Sequence, residues 1–165
     1  MRAVVVTAHP DDETLWAGGY LAAHSGTDVI CCSIPKKDPQ RAAHFFEACR
    51  LLGANPIVMA SSSAENDNKL DLRAVTHFVA RYDLILTHNQ LGEYGHPHHI
   101  QVHEAMTRSY ASRVRCFGYG LPGTDHRGEL VDIELKRRVL SVYTSRPEVF
   151  QRQSVRFNLA RELFV

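Results

Sequence analysis

Two short segments of the sequence concentrate side chains that can bind a metal ion and move protons. The first, AHPDDE at residues 8–13, follows an apolar run and contains one histidine and three acids. The second, GEYGHPHHIQVH at residues 92–103, contains four histidines. Zinc prefers imidazole and carboxylate ligands, and a catalytic zinc site uses three protein ligands and leaves one position open. The two segments together therefore predict a catalytic metal site.

Three residues are predicted to supply the metal ligands: His9, Asp12 and one histidine of the second segment. If Pro97 begins a helix, His99 lies in its first turn and His103 lies one turn further along the same face. His99 is closer to the end of the preceding strand, so we predict it as the third ligand. A ligand set that uses His103 instead is the alternative. The histidines outside the two segments are interpreted as ordinary side chains: His24, His44, His77, His88 and His126.

The remaining polar residues of the two segments suit proton transfer and charge stabilisation. Asp11 is not needed as a ligand, so it can act as the general base that takes a proton from an attacking water, which a bound zinc ion makes more acidic. His96 can then protonate a leaving amine, and Tyr94 or the metal can stabilise the oxyanion. Glu13 is predicted to be structural, bracing the start of the following helix or a ligand. These roles predict hydrolysis at a carbonyl carbon.

The two segments lie where a parallel α/β sheet would bring them together. Short β-branched runs alternate with amphipathic stretches, which predicts a three-layer Rossmann-like domain with a mainly parallel sheet and helices on both faces. The predicted strands span residues 3–7, 28–34, 56–60, 84–87 and 115–119, and the predicted helices span 15–24, 39–52, about 72–79 and 97–109. In this class of sheet the first and fourth strands are often neighbours, and ligands bind beyond the carboxyl ends of the strands. We expect one domain over residues 1–165.

Residues typical of helix ends predict the bounds of the second helix. Asp38 is its predicted N-cap, Pro39 its first residue and Gly53 its end. A polar loop is predicted at residues 61–68. A second loop is predicted at LPGTDHRGE, residues 121–129, and the pattern over residues 130–143 does not distinguish strand from helix.

The composition limits the kind of partner. The chain has 165 residues and a net charge of +1, from 19 basic and 18 acidic side chains, which does not favour binding to nucleic acid or to an anionic membrane. No apolar run predicts a membrane span, no G-x-G-x-x-G predicts a nicotinamide cofactor, and the start does not resemble a secretory signal. The four cysteines lack C-x-x-C spacing, so we expect them to be reduced and buried in a cytoplasmic protein. The expected partner is a small-molecule or glycan substrate, and a homo-oligomer is compatible with the sequence.

At these residues the sequence resembles the zinc-dependent PIG-L/LmbE-like de-N-acetylases, which remove acetyl from N-acetylglucosamine-type sugars. AHPDDE at 8–13 is similar to the family's first motif, and GEYGHPHH at 92–99 is similar to its G-x-Y-G-H-P-x-H segment. The resemblance implies these roles: His9, Asp12 and His99 as zinc ligands, Asp11 as base, His96 as acid or oxyanion stabiliser, and Tyr94 as oxyanion stabiliser. It extends to RAAHFFEACRLLG at 41–53, whose leading Arg41 is implied to contact substrate. Zinc is the implied metal, and another divalent ion such as Fe²⁺ is the alternative.

The sequence departs from this family pattern at two histidines. His98 stands where many members have an aspartate that orients the acid histidine, and His44 stands where a glutamate is frequent. The resemblance covers residues 1 to about 120, and many relatives have a longer C-terminal part that helps to wall the pocket. The predicted function is a metal-dependent hydrolase that deacetylates an N-acetylated amino sugar. Two alternatives stay open: an amidase on another sugar conjugate, such as a thiol-sugar conjugate, and a catalytically silent sugar- or metal-binding module.

Overall fold

A five-stranded parallel sheet forms the centre of the computed structural model, which describes residues 1–35, 38–59, 69–123, 128–144 and 161–165. The strands are β1 (Ala3–Thr7), β2 (Asp28–Cys31), β3 (Asn55–Val58), β4 (Leu84–Thr87) and β5 (Val114–Cys116). Their order in the sheet is β3-β2-β1-β4-β5, and every neighbouring pair is parallel. β1 and β4 are built from apolar residues and threonine, as is typical of strands that are buried on both faces.

Helices cover both faces of the sheet. The helices are α1 (Asp12–Ala23), α2 (Gln40–Leu52), α3 (Arg73–Val79), the single turn α4 (Gly92–Gly95), α5 (Pro97–Tyr110) and α6 (Ile133–Leu140). α1, α2 and α6 contribute Trp16, Phe45 and Val139 to one buried apolar cluster. α3 and α5 contribute Val75 and Val102 to a second cluster. None of the helices in the described part of the chain is both long and apolar enough to cross a membrane.

Side-chain alternation in the strands separates the two clusters. Val5 of β1 lies in the cluster with α1, whereas its neighbours Val4 and Val6 lie in the other cluster, because successive side chains of a strand point to opposite faces. Cys31 and Cys32 are divided between the clusters in the same way, and both are buried free thiols. The predicted three-layer α/β architecture is confirmed.

The start of α1 differs from its prediction. The helix begins at Asp12 rather than at residue 15, and Asp12 and Glu13 form its acidic first turn. Carboxylates interact favourably with a helix N-terminus, so these acids belong to the helix even though they break its apolar pattern.

The bounds of α2 agree with the sequence at one end only. Gly53 ends the helix with φ 71°, as predicted. At the other end Pro39 is the N-cap, and no side chain caps the helix. The predicted side-chain cap by Asp38 is therefore wrong; instead its backbone carbonyl accepts the N–H of Arg41 at 3.2 Å. The polar loop predicted at 61–68 lies outside the described residues.

β1 and β4 are direct neighbours, as the sequence predicted. Val4 pairs with Ile85 and Val6 pairs with Thr87. The Thr87 hydroxyl also donates to the Val6 carbonyl at 2.8 Å, so the two strand ends are tied together. The segments that follow these strands consequently meet at one edge of the sheet.

A buried ion pair fastens the C-terminal part of the described chain to α1. β6 (Glu129–Leu130) pairs antiparallel with β7 (Arg161–Glu162). Lys136 on α6 donates to the Leu15 carbonyl at 2.9 Å and lies 2.7 Å from the Glu162 carboxylate. Glu162 also accepts two backbone N–H groups of α1. Burial lowers the pKa of Lys136, and the negative charge of Glu162 opposes that shift.

Lys136→Met is expected to lower the free energy of unfolding by roughly 3–5 kcal/mol, because it leaves the Glu162 charge buried without its cationic partner. Urea unfolding followed by circular dichroism measures this change. Arg138→Met, at an exposed position of the same helix, is the matched control and is expected to stay within about 0.5 kcal/mol of the parent chain. Equal unfolding midpoints for the two variants would contradict a stabilising role for the pair.

Candidate active site

Asp11 occupies a strained turn between β1 and α1. Its φ of 103° and ψ of −31° lie in a region that residues with a Cβ atom rarely adopt. The Asp11 N–H donates to the Glu13 carboxylate at 3.0 Å, and its carbonyl accepts the N–H groups of Thr14 and Leu15. Strain of this kind is concentrated at functional sites, where the surrounding structure maintains it.

The three predicted metal ligands lie around one point. His9 Nδ1 is 3.4 Å from Asp12 Oδ2, His99 Nε2 is 3.3 Å from the same oxygen, and the two ring nitrogens are 3.3 Å apart. Three atoms at these separations share a point about 2 Å from each of them, which is the length of Zn–N and Zn–O bonds. The donor set of two imidazoles and one carboxylate therefore fits a catalytic zinc ion.

Hydrogen bonds aim the Asp12 carboxylate at this point. Its Oδ1 accepts the indole N–H of Trp16 at 3.2 Å, and its Oδ2 accepts the backbone N–H of His9 at 2.9 Å. Burial alone would raise the pKa of Asp12, but the imidazoles that face it, led by His99, lower that pKa well below its usual value. Asp12 is therefore ionised, as a ligand requires.

The charges around His99 favour a cation at the same place. Asp12 faces its Nε2 at 3.3 Å, and Glu93 faces its Nδ1 at 2.6 Å. Burial alone would lower the pKa of His99, but the two carboxylates raise that pKa to about 10. A site that stabilises a proton between Asp12 and His99 also stabilises a divalent cation that replaces the proton.

Glu93 is a functional residue that sequence reasoning missed. Its buried carboxylate is hydrogen-bonded to His88 Nδ1 at 2.7 Å and to His99 Nδ1 at 2.6 Å. It also accepts the Asn89 backbone N–H at 2.9 Å. A carboxylate on the second nitrogen of a ligand histidine fixes the ring and directs the other nitrogen to the metal. One signal was available in the sequence: a metal-binding histidine usually has a hydrogen-bond acceptor on its second nitrogen. The sequence does not say which residue this acceptor is, and the backbone of the α4 turn shows that it is Glu93.

His88 also belongs to the site, which corrects its interpretation as an ordinary side chain. Its ring is fully buried and stacks on His99, with the ring centroids 3.8 Å apart. Its Nε2 lies 3.5 Å from Asp12 Oδ2 and accepts the Ala8 N–H at 3.0 Å. Because that backbone N–H already uses its lone pair, His88 positions its neighbours and is not counted among the ligands.

The predicted base, Asp11, is paired with Arg41. The Arg41 guanidinium lies 2.5 Å from Asp11 Oδ2 and also donates to the Pro10 carbonyl. Burial raises the pKa of Asp11 well above its usual value; Arg41 opposes this shift, and Asp12 and Glu13 reinforce it. Arg41 therefore belongs to the site because it is paired with Asp11. The contact of Arg41 with substrate stays a prediction.

His96 and Tyr94 lie beside the ligand cluster. The His96 ring centroid is 4.6 Å from that of His9 and 4.7 Å from that of His99, and the Tyr94 ring is 5.8 Å from His96. His96 Nδ1 accepts the backbone N–H of His98 at 3.2 Å, so the neutral ring carries its proton on Nε2. Burial and the nearby imidazoles lower the pKa of His96 to about 3. His96 is therefore an N–H donor at neutral pH.

His98 and His103 have different surroundings. His98 places Nδ1 3.0 Å from His9 Nε2, so it can orient the ligand histidine through the nitrogen that faces away from the cluster. His103 directs Nδ1 to the His88 carbonyl at 3.0 Å and to the Cys116 thiol at 3.4 Å. Among the described residues, two groups of three side chains place possible ligand atoms close together, His9 with His96 and His99, and Asp12 with His88 and His99, and neither group includes His103. The alternative ligand set with His103 is thus not supported.

A comparison with known families assigns the chain to one of them. The sequence model of the PIG-L family, described as GlcNAc-PI de-N-acetylase, matches residues 4–110. This match covers more than half of the chain and contains both histidine-rich segments up to His103. The chain therefore belongs to the PIG-L family.

The chain is also similar to curated proteins and solved structures. It is 25% identical to the 1D-myo-inositol 2-acetamido-2-deoxy-alpha-D-glucopyranoside deacetylase of Actinosynnema mirum, with 67% of this chain and 55% of that protein covered, so it spans about half the length of this relative. The N,N'-diacetylchitobiose deacetylase of Pyrococcus horikoshii shares the fold with a TM-score of 0.65, at 18% identity and with 87% and 70% of the two chains covered. The hydratase GalB of Pseudomonas putida KT2440 also shares it, with a TM-score of 0.60, 18% identity, and 93% and 83% covered. Because a deacetylase and a hydratase share the fold, the reaction has to be argued from the site.

Proposed function

We propose that this chain is a metal-dependent hydrolase that removes the N-acetyl group from an N-acetylglucosamine-type amino sugar or glycoconjugate and releases acetate. The observation that carries the proposal is the meeting of His9, Asp12 and His99 around one point. Asp11 precedes Asp12 in the chain, and its carboxylate is held by Arg41 at 2.5 Å. Membership of the PIG-L family and the similarity to a deacetylase of an acetamido sugar support the choice of substrate class.

Zinc is the proposed metal, and another divalent ion such as Fe²⁺ is the alternative. His9 would bind through Nδ1, His99 through Nε2 and Asp12 through Oδ2. Both imidazoles have a partner on their second nitrogen, His98 for one and Glu93 for the other. When bound, a divalent cation acts as a Lewis acid on a carbonyl group and makes water a better nucleophile.

The residues around the ligands are suited to the steps of amide hydrolysis. Asp11 accepts a proton from the attacking water, and Arg41 holds the carboxylate in place for this transfer. The N–H of His96 and the hydroxyl of Tyr94 can donate to the oxygen on which negative charge develops. When the carbon–nitrogen bond breaks, Asp11 returns the proton that it took from water to the leaving amine.

Arg41→Met is expected to lower kcat by roughly tenfold or more with a smaller change in KM, because the substitution removes the guanidinium that holds the base in its reactive geometry. Steady-state kinetics on the best substrate separates the two parameters. If Arg41 mainly binds substrate, as the family resemblance implies, KM will rise instead while kcat is kept. Arg50→Met, an exposed arginine of the same helix, is the matched control and is expected to leave both parameters unchanged.

Metal analysis coupled to an amine-release screen tests the proposed function. The purified chain, loaded with zinc or Fe²⁺, is incubated with N-acetylated sugars, nucleotide sugars, lipid-linked glycans and thiol-sugar amides, and acetate and free amine are measured. Acetate and amine in equal amounts from an acetamido sugar support the proposal. Faster cleavage of another amide would favour the amidase alternative. Metal binding without cleavage of any compound would favour the silent module.

A further inference from the structure

The C-terminal part of the described chain reaches the base through a buried hydrogen bond. Tyr143, three residues beyond the end of α6, donates its hydroxyl to Glu13 Oε1 at 2.7 Å. Tyr143 is 2% exposed and Glu13 is fully buried, so both groups are removed from water. A hydrogen bond to a buried carboxylate is stronger than the same bond at the surface, because water does not compete for it.

The Glu13 carboxylate connects Tyr143 to the backbone of Asp11, because it is hydrogen-bonded to both. Its Oε2 accepts the Asp11 N–H at 3.0 Å, while its Oε1 accepts the hydroxyl of Thr14 at 2.7 Å as well as that of Tyr143. The two oxygens belong to one rigid group, so the donors on Oε1 fix the direction in which Oε2 points. Tyr143 thus helps to set the position of the Asp11 amide.

Asp11 needs such support because its backbone is strained. The φ of 103° is maintained only if the bonds around the turn outweigh its cost. A change in this φ would shift the Asp11 carboxylate relative to Arg41, with which it is paired at 2.5 Å. The bond from Tyr143 to Glu13 is therefore in a position to affect the base without touching the metal ligands.

We propose that Tyr143 is a positioning residue for the base Asp11 and acts through Glu13. This inference rests on the proposed function, in which Asp11 takes the proton from water. It also gives a role to the chain beyond residue 110, where the family match ends. The proposed link runs from the end of α6 to the strained turn at Asp11. Beside it, the Lys136 Nζ donates to the Leu15 carbonyl and holds α6 against α1.

The hydroxyl of Tyr143, rather than its ring, carries the proposed role. The ring lies in the apolar cluster with α1 and α2, and it meets the His44 ring edge-on with the centroids 6.0 Å apart. Tyr143→Phe keeps this packing and removes the donor to Glu13. Tyr110→Phe is the matched control, because the Tyr110 hydroxyl donates to the Thr76 carbonyl at 2.8 Å on the opposite face of the sheet.

Two measurements on the metal-loaded full chain test the proposal. In Tyr143→Phe, kcat is expected to fall about tenfold with KM and metal content unchanged, which corresponds to about 1.4 kcal/mol in the activation free energy. The exchange rate of the Asp11 amide hydrogen, followed by NMR, is expected to rise several-fold. Tyr110→Phe is expected to change neither quantity.

If the unsubstituted chain is active, each other outcome overturns the proposal. An unchanged kcat in Tyr143→Phe would exclude a positioning role, whatever the amide does. A higher KM together with a lower metal content would show general loosening of the fold. If the unsubstituted chain cleaves no amide, the proposed function has failed, but the exchange of the Asp11 amide still tests the link: an unchanged rate in Tyr143→Phe refutes it, and a faster rate supports it.

Discussion

Asp11→Asn is expected to lower kcat by roughly 10²–10⁴-fold while the chain keeps its metal, because this is the usual contribution of a general base. The amide that replaces the carboxylate has nearly the same shape and can still contact Arg41, but it cannot accept a proton from water. The ligand atoms of His9, Asp12 and His99 are unchanged by the substitution. Steady-state kinetics and metal analysis on the same preparation measure the two quantities.

Asp71→Asn is the matched control for this experiment. Asp71 is also a carboxylate paired with an arginine, Arg73 at 2.6 Å, but this pair is exposed. It lies at the start of α3, which packs on the face of the sheet opposite α1. The control is expected to keep full activity. Undiminished turnover in Asp11→Asn would remove Asp11 as the base, and loss of metal would show that Asp11 belongs to the ligand set.

The parts of the site that were predictable from sequence are those fixed by topology. AHPDDE and GEYGHPHH follow two apolar runs, and in a parallel sheet the residues that follow neighbouring strands meet at one edge. Only the adjacency of β1 and β4 had to be assumed, and the register of Val4 with Ile85 confirms it. Within the two segments, residue type then limited the candidate metal ligands and proton-transfer residues, because few side chains can bind zinc or transfer protons.

The parts that were not predictable depend on loop backbones and on contacts distant in sequence. Glu93 faces His88 and His99 because residues 92–95 turn through positive φ angles at Gly92 and Glu93, which no residue pattern specified. Tyr143 reaches Glu13 across 130 positions of the chain, and neither residue indicates the other. Partners of this kind orient the reactive groups, so they are found from the packed structure and not from the motif.

The matching of charge in the site explains why so many ionisable groups are tolerated in a buried place. Asp12 and Glu93 both face His99, and the pKa of Glu93, which burial would raise, is lowered to about 2 by the imidazoles of His88 and His99. Asp11 is offset by Arg41. Buried charges are retained only where partners compensate their loss of hydration. The proposed divalent cation at the centre of His9, Asp12 and His99 would add to this compensation, which would tie metal binding to stability.

His99→Ala is expected to reduce bound zinc far below one ion per chain, and Glu93→Gln is expected to weaken zinc binding by the roughly 10–100-fold typical of a lost partner to a ligand histidine. The difference follows from geometry, because His99 supplies Nε2 itself whereas Glu93 only directs it. Competition with a zinc chelator measures both affinities. His103→Ala is the control: His103 lies one turn further along α5, and its Nδ1 contacts the His88 carbonyl, so zinc binding should stay at the parental level. If zinc is lost in the control and kept in His99→Ala, the third ligand is His103, and the proposed arrangement of the site fails.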